Sequence, residues 1–197
     1  IPTYSKTSFR GRKAFGCSMG KINKFAKINN FLNNFECVLL KDYCRIFHRL
    51  NQNQFDYEND QNLDTYVYGD PIMESLLINK KKDVEKELGF EIFPTFSSWK
   101  MHTLNSNMSF KKHKDSCEIS VMINLGNDGT AWPLKFENQE HNLNVGDALI
   151  FLPKNFYYDR EEFKGDWYAQ TFLHYVKKNG DYKNLIMDNR KYWGMQK

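Results

Sequence analysis

The sequence predicts an α+β protein in which two helices precede an antiparallel β-sheet. The chain has 197 residues, which suits one domain with an additional segment. Apolar residues recur at helical spacing in the first half of the chain. From residue 92 onward the period changes to two, which is typical of strands. Helices followed by a run of strands indicate an α+β arrangement with the sheet in the second half.

Composition excludes several classes of protein. Aromatic residues form 16% of the chain and hydrophobic residues 41%, which is enough to build a buried core and excludes disorder along the whole length. A net charge of +4 does not by itself indicate nucleic-acid binding. No apolar run has the length of a membrane span, and no apolar segment near the N-terminus indicates a secretory signal. We therefore expect no membrane partner and no secretion by a signal peptide.

Residues 1–27 are predicted to form an extended basic arm without acidic residues. A solvated tail and an arm that docks on a protein partner both fit this pattern, and the interleaved aromatic residues favour docking. Binding of nucleic acid through the arm and the lysines at 111–114 is a weaker alternative. The basic residues of the arm are Lys6, Arg10, Arg12, Lys13, Lys21, Lys24 and Lys27.

Capping signals delimit the two predicted helices. The first lies near residues 35–50, with Asn33 or Asn34 as its cap. The second begins with Asp70 as N-cap, followed directly by proline, and ends at Gly89. The apolar residues that place the first helix are Phe35, Val38, Leu39, Tyr43, Ile46, Phe47 and Leu50.

The predicted strands are separated by turn sequences. The apolar residues at odd positions of 117–125 alternate with Glu118, Ser120, Met122 and Asn124, which predicts a strand. Turns follow at residues 126–129 and at Gly146-Asp147. Further strands are predicted over residues 92–102, 148–152 and 167–176.

His113 and Asp115 form the most informative chemical pattern. On extended backbone, alternate side chains point to the same face, so an imidazole nitrogen and a carboxylate oxygen can contact one metal ion. Such a pair supplies two members of the 2-His-1-carboxylate set, which leaves open positions on Fe(II). A His-x-Asp pair arises often by chance, so a solvated basic loop is the alternative interpretation.

Six stretches occur in a characteristic order: YGDPIMESLL (68–77), LGFEIFPTF (88–96), HKDSCEISVMINLG (113–126), WPLKF (132–136), VGDALIF (145–151) and FKGDWYAQTFLHYV (163–176). This order resembles the 2-oxoglutarate- and Fe(II)-dependent oxygenases, and among them the small prolyl-4-hydroxylase-like proteins of marine viruses and bacteria. The resemblance runs from about Tyr68 to Val176. It implies a double-stranded β-helix, or jelly roll, backed by the two helices. The implied domain covers residues 28–176, and residues 177–197 form a C-terminal tail.

The resemblance implies an iron site made by His113, Asp115 and a third residue. The family has a His at that third position, but here it falls on Tyr158, two residues before the retained Arg160. A phenol, with a pKa of about 10, is a poor Fe(II) ligand at neutral pH unless the metal lowers that pKa. The loss of one of three protein ligands is expected to weaken the site.

The implied co-substrate, 2-oxoglutarate, requires a cation for its distal carboxylate. The family's basic residue on the strand after the third ligand is missing from residues 166–170. The candidates for cofactor binding are Lys100, Arg160 and Gln170, and Lys100 is the best substitute for the missing cation. An exposed strand lysine is an alternative of equal weight at that position.

Two functions remain open at this point. We favour an oxygenase-fold protein with a degraded iron site that is catalytically weak or inactive. It would serve as a structural or binding module, by analogy a virus-particle component, whose arm binds a protein partner; it would then need no cofactor. The alternative is an active hydroxylase of a peptide side chain that uses Fe(II) and 2-oxoglutarate. The expected location is the cytoplasm or the virion.

Overall fold

Helices cover one face of the main sheet, and a smaller sheet faces the other. The computed structural model describes residues 25–52, 64–108, 115–136, 139–153 and 158–195. The α-helices are α1 (Asn34–Gln52), α2 (Pro71–Asn79) and α3 (Lys81–Leu88). The strands are β1 (Phe25–Ile28), β2 (Thr65–Tyr68), β3 (Ile92–Thr103), β4 (Ile119–Asn127), β5 (Leu134–Phe136), β6 (Gln139–His141), β7 (Ala148–Phe151) and β8 (Trp167–Lys177).

The main sheet is antiparallel and has the strand order β1-β7-β4-β8-β3-β2. β5 and β6 pair separately. Isolated bridges from Lys135 to Asp159 and from Arg160 to Met108 extend this smaller sheet. Two antiparallel sheets that oppose each other with these crossover connections form a jelly roll. The predicted α+β class and the predicted double-stranded β-helix are thus confirmed.

Alternation along the strands divides the main sheet into two apolar faces. Trp99, Val121 and Leu173 point towards the helices and belong to the larger buried cluster. Met122 and Phe151 point the other way and pack with Leu134, Leu143, Leu149 and Tyr158 inside the jelly roll. Each fully buried aliphatic or aromatic side chain contributes about 1.5–3 kcal/mol, so both clusters stabilise the fold. No helix in the described part of the chain combines the length and apolar character of a membrane-crossing segment.

The N-terminal end of α1 is fixed by a reciprocal cap. Asn33 Oδ1 accepts a hydrogen bond from the Glu36 backbone N–H at 2.9 Å, and Glu36 Oε2 accepts one from the Asn33 N–H at 2.8 Å. This arrangement is a capping box, so Asn33 is the cap. Of the predicted arm, residues 25–27 belong to β1, and residues 1–24 lie outside the described residues.

Most of the apolar residues that located α1 in the sequence are exposed. Leu40 and Cys44 are buried, and Tyr43 and Phe47 pack beside them against the core. The apolar residues of α1 are spread around most of its circumference, so only one side of the helix can face the sheet. The exposed residues among those that located the helix are Phe35, Val38, Leu39, Ile46 and Leu50.

We expect Leu40→Ala to lower the free energy of unfolding by about 2–4 kcal/mol, because it leaves a cavity in the core. Leu39→Ala is the matched control. Leu40 is 4% exposed and Leu39 is 46% exposed, so the control is expected to cost less than about 1 kcal/mol. Urea unfolding followed by circular dichroism measures both. Equal losses of stability in the two variants would contradict the orientation of α1 described above.

Asp70 caps α2 as predicted. Its Oδ1 accepts hydrogen bonds from the N–H groups of Ile72 at 2.9 Å and Met73 at 3.4 Å. Its Oδ2 accepts from Trp99 Nε1 at 3.1 Å, and the Tyr43 hydroxyl also donates to that oxygen. The cap therefore joins α1, α2 and β3 through one buried carboxylate.

The single helix predicted up to Gly89 is instead two helices, with the division at Lys80. The Asn79 amide donates to the Ser75 carbonyl at 2.8 Å. This side-chain bond competes with the backbone bond of the same turn and favours a helix end there. Gly89 ends α3 with φ of 77°, in the left-handed conformation that suits glycine.

The C-terminal segment packs against the domain as far as residue 195. Arg190 and Glu74 form a buried ion pair, with side chains 3% and 1% exposed. Arg190 also donates to the backbone carbonyls of Thr95 at 3.1 Å, Met187 at 3.0 Å and Met195 at 2.8 Å. One guanidinium thus ties the segment to α2 and β3.

Candidate functional site

Arg160 is a buried cation inside the jelly roll. Arg160 and Tyr158 are alternate residues on the segment that bridges Met108, so both side chains face the interior. The side chains of Trp132 and Tyr168 flank the guanidinium, with ring centroids 4.5 and 4.8 Å from its central carbon. Arg160 is only 4% exposed. Burial between two rings holds the charge in one place and orientation.

The guanidinium has hydrogen-bond partners but no counter-ion among the described residues. Its Nη1 donates to Gln170 Oε1 at 3.0 Å, and its Nη2 lies 3.4 Å from the Tyr168 hydroxyl. Its Nε is buried without a hydrogen-bond partner in the described part of the chain. A buried charge without a partner is costly. The arrangement therefore suits the binding of an anion, because a carboxylate would supply the missing charge.

Gln170 connects Arg160 to a second buried group. The Gln170 amide nitrogen lies 2.8 Å from His102 Nε2, and His102 Nδ1 lies 3.4 Å from Asp64 Oδ2. Gln170 is also directly opposite Lys100 in the register of β3 and β8. The buried polar groups thus form a continuous series from Arg160 to Asp64.

The protonation states along this series are defined. Burial lowers the pKa of His102 to about 4, although Asp64 opposes the shift, so the imidazole is neutral at pH 7. Because Gln170 Oε1 accepts from Arg160 Nη1, the Gln170 amide nitrogen faces His102 Nε2 and favours the His102 tautomer with its proton on Nδ1. Nδ1 lies 3.4 Å from Asp64 Oδ2 and has no hydrogen-bond partner among the described residues. Burial alone would raise the pKa of Asp64, but contacts with His102, Lys100 and Ser106 outweigh it and lower that pKa. Asp64 is therefore a carboxylate.

The structure brings together the three residues predicted to bind the co-substrate. Lys100 and Arg160 lie on either side of Gln170. The Lys100 ammonium is 2.7 Å from Asp64 Oδ2, so its charge already has a partner. Of the two cations, Arg160 is the one that no described carboxylate pairs.

Tyr158, the predicted third metal ligand, is buried inside the jelly roll. It is 8% exposed, and its ring packs edge-on against Phe151 at 5.4 Å between centroids. Burial raises the pKa of Tyr158 to about 12, although Arg160 opposes the shift. The phenol is therefore neutral at pH 7. A neutral phenol does not suit the third position of an Fe(II) donor set.

The other two predicted metal ligands remain predictions. His113 and the side chain of Asp115 lie outside the described residues. The Asp115 backbone begins a short 3₁₀ helix (Asp115–Cys117) rather than continuing the extended conformation predicted for it. Within the described ranges, no three His, Cys, Asp or Glu side chains converge as a metal site would require.

Sequence reasoning missed Asp64, His102, Trp132 and Tyr168 as members of this site. A signal existed for His102, because it lies two residues after Lys100 on a strand, and alternate residues share a face. Asp64 follows a polar segment and carries no local signal, since its partners are remote in sequence.

Solved structures of known proteins match this chain over most of its length. A prolyl-4-hydroxylase from Pseudomonas putida is 14% identical, with 80% of this chain and 94% of that chain covered and a TM-score of 0.55. The viral collagen prolyl hydroxylase of Paramecium Bursaria Chlorella virus-1, in its 2-oxoglutarate complex, is 12% identical, with coverage of 77% and 95% and a TM-score of 0.53. HygX from Streptomyces hygroscopicus, with nickel and 2-oxoglutarate bound, is 10% identical, with coverage of 79% and 83% and a TM-score of 0.56. No protein-family profile and no curated protein sequence matches the chain.

The chain therefore has the fold of the 2-oxoglutarate- and Fe(II)-dependent oxygenases. Within that class its fold is similar to that of a bacterial and a viral prolyl hydroxylase, as the order of motifs predicted. At identities of 10–14% the likeness establishes the fold alone. The chemistry has to be argued from the site, because one fold supports many functions.

Proposed function

We propose that this protein is an oxygenase-fold binding module that retains a carboxylate site and has lost an effective iron site. The observation that carries the proposal is the Arg160 guanidinium, buried between two aromatic rings without a described counter-ion. Retention of such a cation is costly unless an anion binds to it.

The ligand that best suits Arg160 is 2-oxoglutarate. The guanidinium, which donates to Gln170 Oε1, would hold the distal carboxylate of a dicarboxylate in the interior of the jelly roll. The viral prolyl hydroxylase and HygX have 2-oxoglutarate bound in the same fold. Lys100 contributes less, because Asp64 pairs its charge.

The residues available to bind iron favour weak catalysis or none. Fe(II) would depend on His113 and Asp115, since the neutral Tyr158 phenol does not suit the third position. A structural role then becomes the favoured use of the fold, with the basic residues of the predicted arm that precede β1, residues 1–24, as the segment that binds a protein partner. Because the chain resembles proteins of marine viruses, such a module would serve as a component of a virus particle.

The alternative function is a hydroxylase of a peptide side chain, favoured by the retained fold and the His-x-Asp pair. His113, Asp115 and Tyr158 would then hold Fe(II). When bound together, Fe(II) and 2-oxoglutarate would supply oxidation of a C–H bond. Anaerobic titration of the protein with both distinguishes the two functions. A saturable charge-transfer absorption band that is lost in His113→Ala would support the hydroxylase, and its absence supports the binding module.

Arg160→Gln is expected to weaken 2-oxoglutarate binding at least about tenfold, because it removes the charged partner of the carboxylate. Calorimetry in metal-free buffer measures the affinity without any contribution from iron. Arg45→Gln is the matched control, since Arg45 also stacks on an aromatic ring, at 5.1 Å from that of Trp167, but on the helix side of the sheet. Equal affinities for the two variants would contradict the assignment of Arg160.

A further inference from the structure

We propose that Asp64, His102 and Gln170 act as a buried relay that positions Arg160 to bind a carboxylate. The relay is the series of contacts from Asp64 through His102 to Gln170. These are positioning residues, because each acts on the ligand through Arg160. The proposal rests on the carboxylate site proposed above and adds the residues that determine its affinity.

The relay fixes which end of the Gln170 amide faces Arg160. The amide oxygen accepts from Arg160 Nη1 at 3.0 Å, so the amide nitrogen must point the other way. That nitrogen is within hydrogen-bond distance of His102 Nε2, at 2.8 Å, and of Met108 Sδ, at 3.1 Å. A proton on His102 Nε2 would repel the N–H groups of the Gln170 amide and favour an amide rotated by 180°. The NH₂ group would then face the guanidinium and repel it.

Asp64 favours the His102 tautomer that carries its proton on Nδ1, the ring nitrogen remote from Gln170. Its Oδ2 lies 3.4 Å from His102 Nδ1, close enough for electrostatic attraction although the two atoms do not form a hydrogen bond. The Thr103 N–H donates to Oδ1 at 2.9 Å. Ser106 also donates to the same carboxylate. Such a fixed negative charge stabilises the tautomer with its proton on Nδ1. The charged groups that face His102 are Asp64, Lys100 and Arg160.

Aromatic packing excludes water from the relay. The Trp132 ring lies edge-on to His102 at 4.7 Å between centroids, and the same ring covers the Arg160 guanidinium at 4.5 Å. His102 is fully buried and Gln170 is 1% exposed. Hydrogen bonds in such surroundings are stronger than in water, so the orientation that they impose is well defined.

Glutamine is the residue type that leaves the charge of Arg160 available. A glutamate at position 170 would form an ion pair with Arg160 and cancel the attraction for an incoming anion. The Gln170 amide offers an oxygen of similar geometry without the charge. Gln170 is therefore the residue that makes Arg160 a binding site for a ligand carboxylate instead of half of an internal salt bridge.

Asp64→Asn tests the relay in the full chain. We expect about tenfold weaker binding of 2-oxoglutarate in metal-free buffer by calorimetry. In ¹⁵N-labelled histidine spectra, assigned with His102→Asn, the wild-type His102 should be neutral with its proton on Nδ1, and this signature should change in Asp64→Asn. Asp147→Asn is the matched control. Asp147 is also buried and lies 3.3 Å from a lysine, Lys27, but at the β1 side of the sheet.

Gln170→Glu provides a second test. It should abolish 2-oxoglutarate binding while the melting temperature does not fall. If Gln170 had only a structural role, the substitution would lower both the affinity for 2-oxoglutarate and the melting temperature. Asp64→Asn protein that binds as tightly as wild type, or a wild-type His102 with its proton on Nε2, would overturn the relay and leave the carboxylate site in place. Wild-type protein that does not bind 2-oxoglutarate would overturn the carboxylate site itself, and the positioning role with it.

Discussion

Tyr158→His is expected to strengthen Fe(II) binding by this chain. An imidazole is neutral at pH 7 and is a normal ligand for iron, whereas burial raises the pKa of the Tyr158 phenol to about 12. With His113 and Asp115, the new side chain would complete a 2-His-1-carboxylate set. We expect at least about a hundredfold increase in Fe(II) affinity, since one of three protein ligands is gained.

Anaerobic titration with Fe(II) in the presence of 2-oxoglutarate measures this gain through the charge-transfer absorption band. Tyr158→Phe is the control that removes the phenol without adding a ligand, and it should show no stronger band than wild type. Adding His113→Ala to Tyr158→His should abolish the band. His is smaller than Tyr, and Tyr158 packs on Phe151, so circular dichroism must show that the variant is folded. A wild-type band as strong as that of Tyr158→His would contradict the view of a degraded site.

The positions of β3, β4, β7 and β8 and the helix caps were predictable because their signals are local. Alternation along residues 117–125 located β4, and Asp70 before a proline located the start of α2. The orientation of α1 was not predictable, because its apolar residues surround most of the helix. Which of them face the sheet depends on how the helix packs, and Leu40 is buried while Leu39 is exposed.

The candidate site was predictable only in part, for the same physical reason. The order of motifs pointed to Arg160 and Gln170, but their roles depend on groups that are remote along the chain. Asp64 contacts Lys100 and His102 only after β2 and β3 pair. Arg160 suits an anion because no carboxylate among the described residues pairs with it. A sequence pattern cannot predict this, because it does not show which charged groups lie near a side chain in the fold.

Arg190→Ala is expected to lower the free energy of unfolding by about 3–5 kcal/mol, among the largest effects of any single substitution here. The substitution leaves Glu74 as a buried carboxylate, 1% exposed, without its cation. It also removes the donors for the backbone carbonyls of Thr95 and Met195. The C-terminal segment should therefore detach from α2 and β3, and the amides of β3 beside it should exchange faster with solvent.

Urea unfolding and hydrogen exchange measure the two parts of this prediction. The double variant Arg190→Met with Glu74→Leu should recover much of the loss, because two apolar side chains can replace a buried ion pair at little cost. Lys178→Ala is the matched control, since it breaks the exposed pair of Lys178 with Glu91 at 3.0 Å, which is worth less than about 1 kcal/mol. A loss for Arg190→Ala no greater than that of the control would mean that the C-terminal segment contributes little to the stability of the domain.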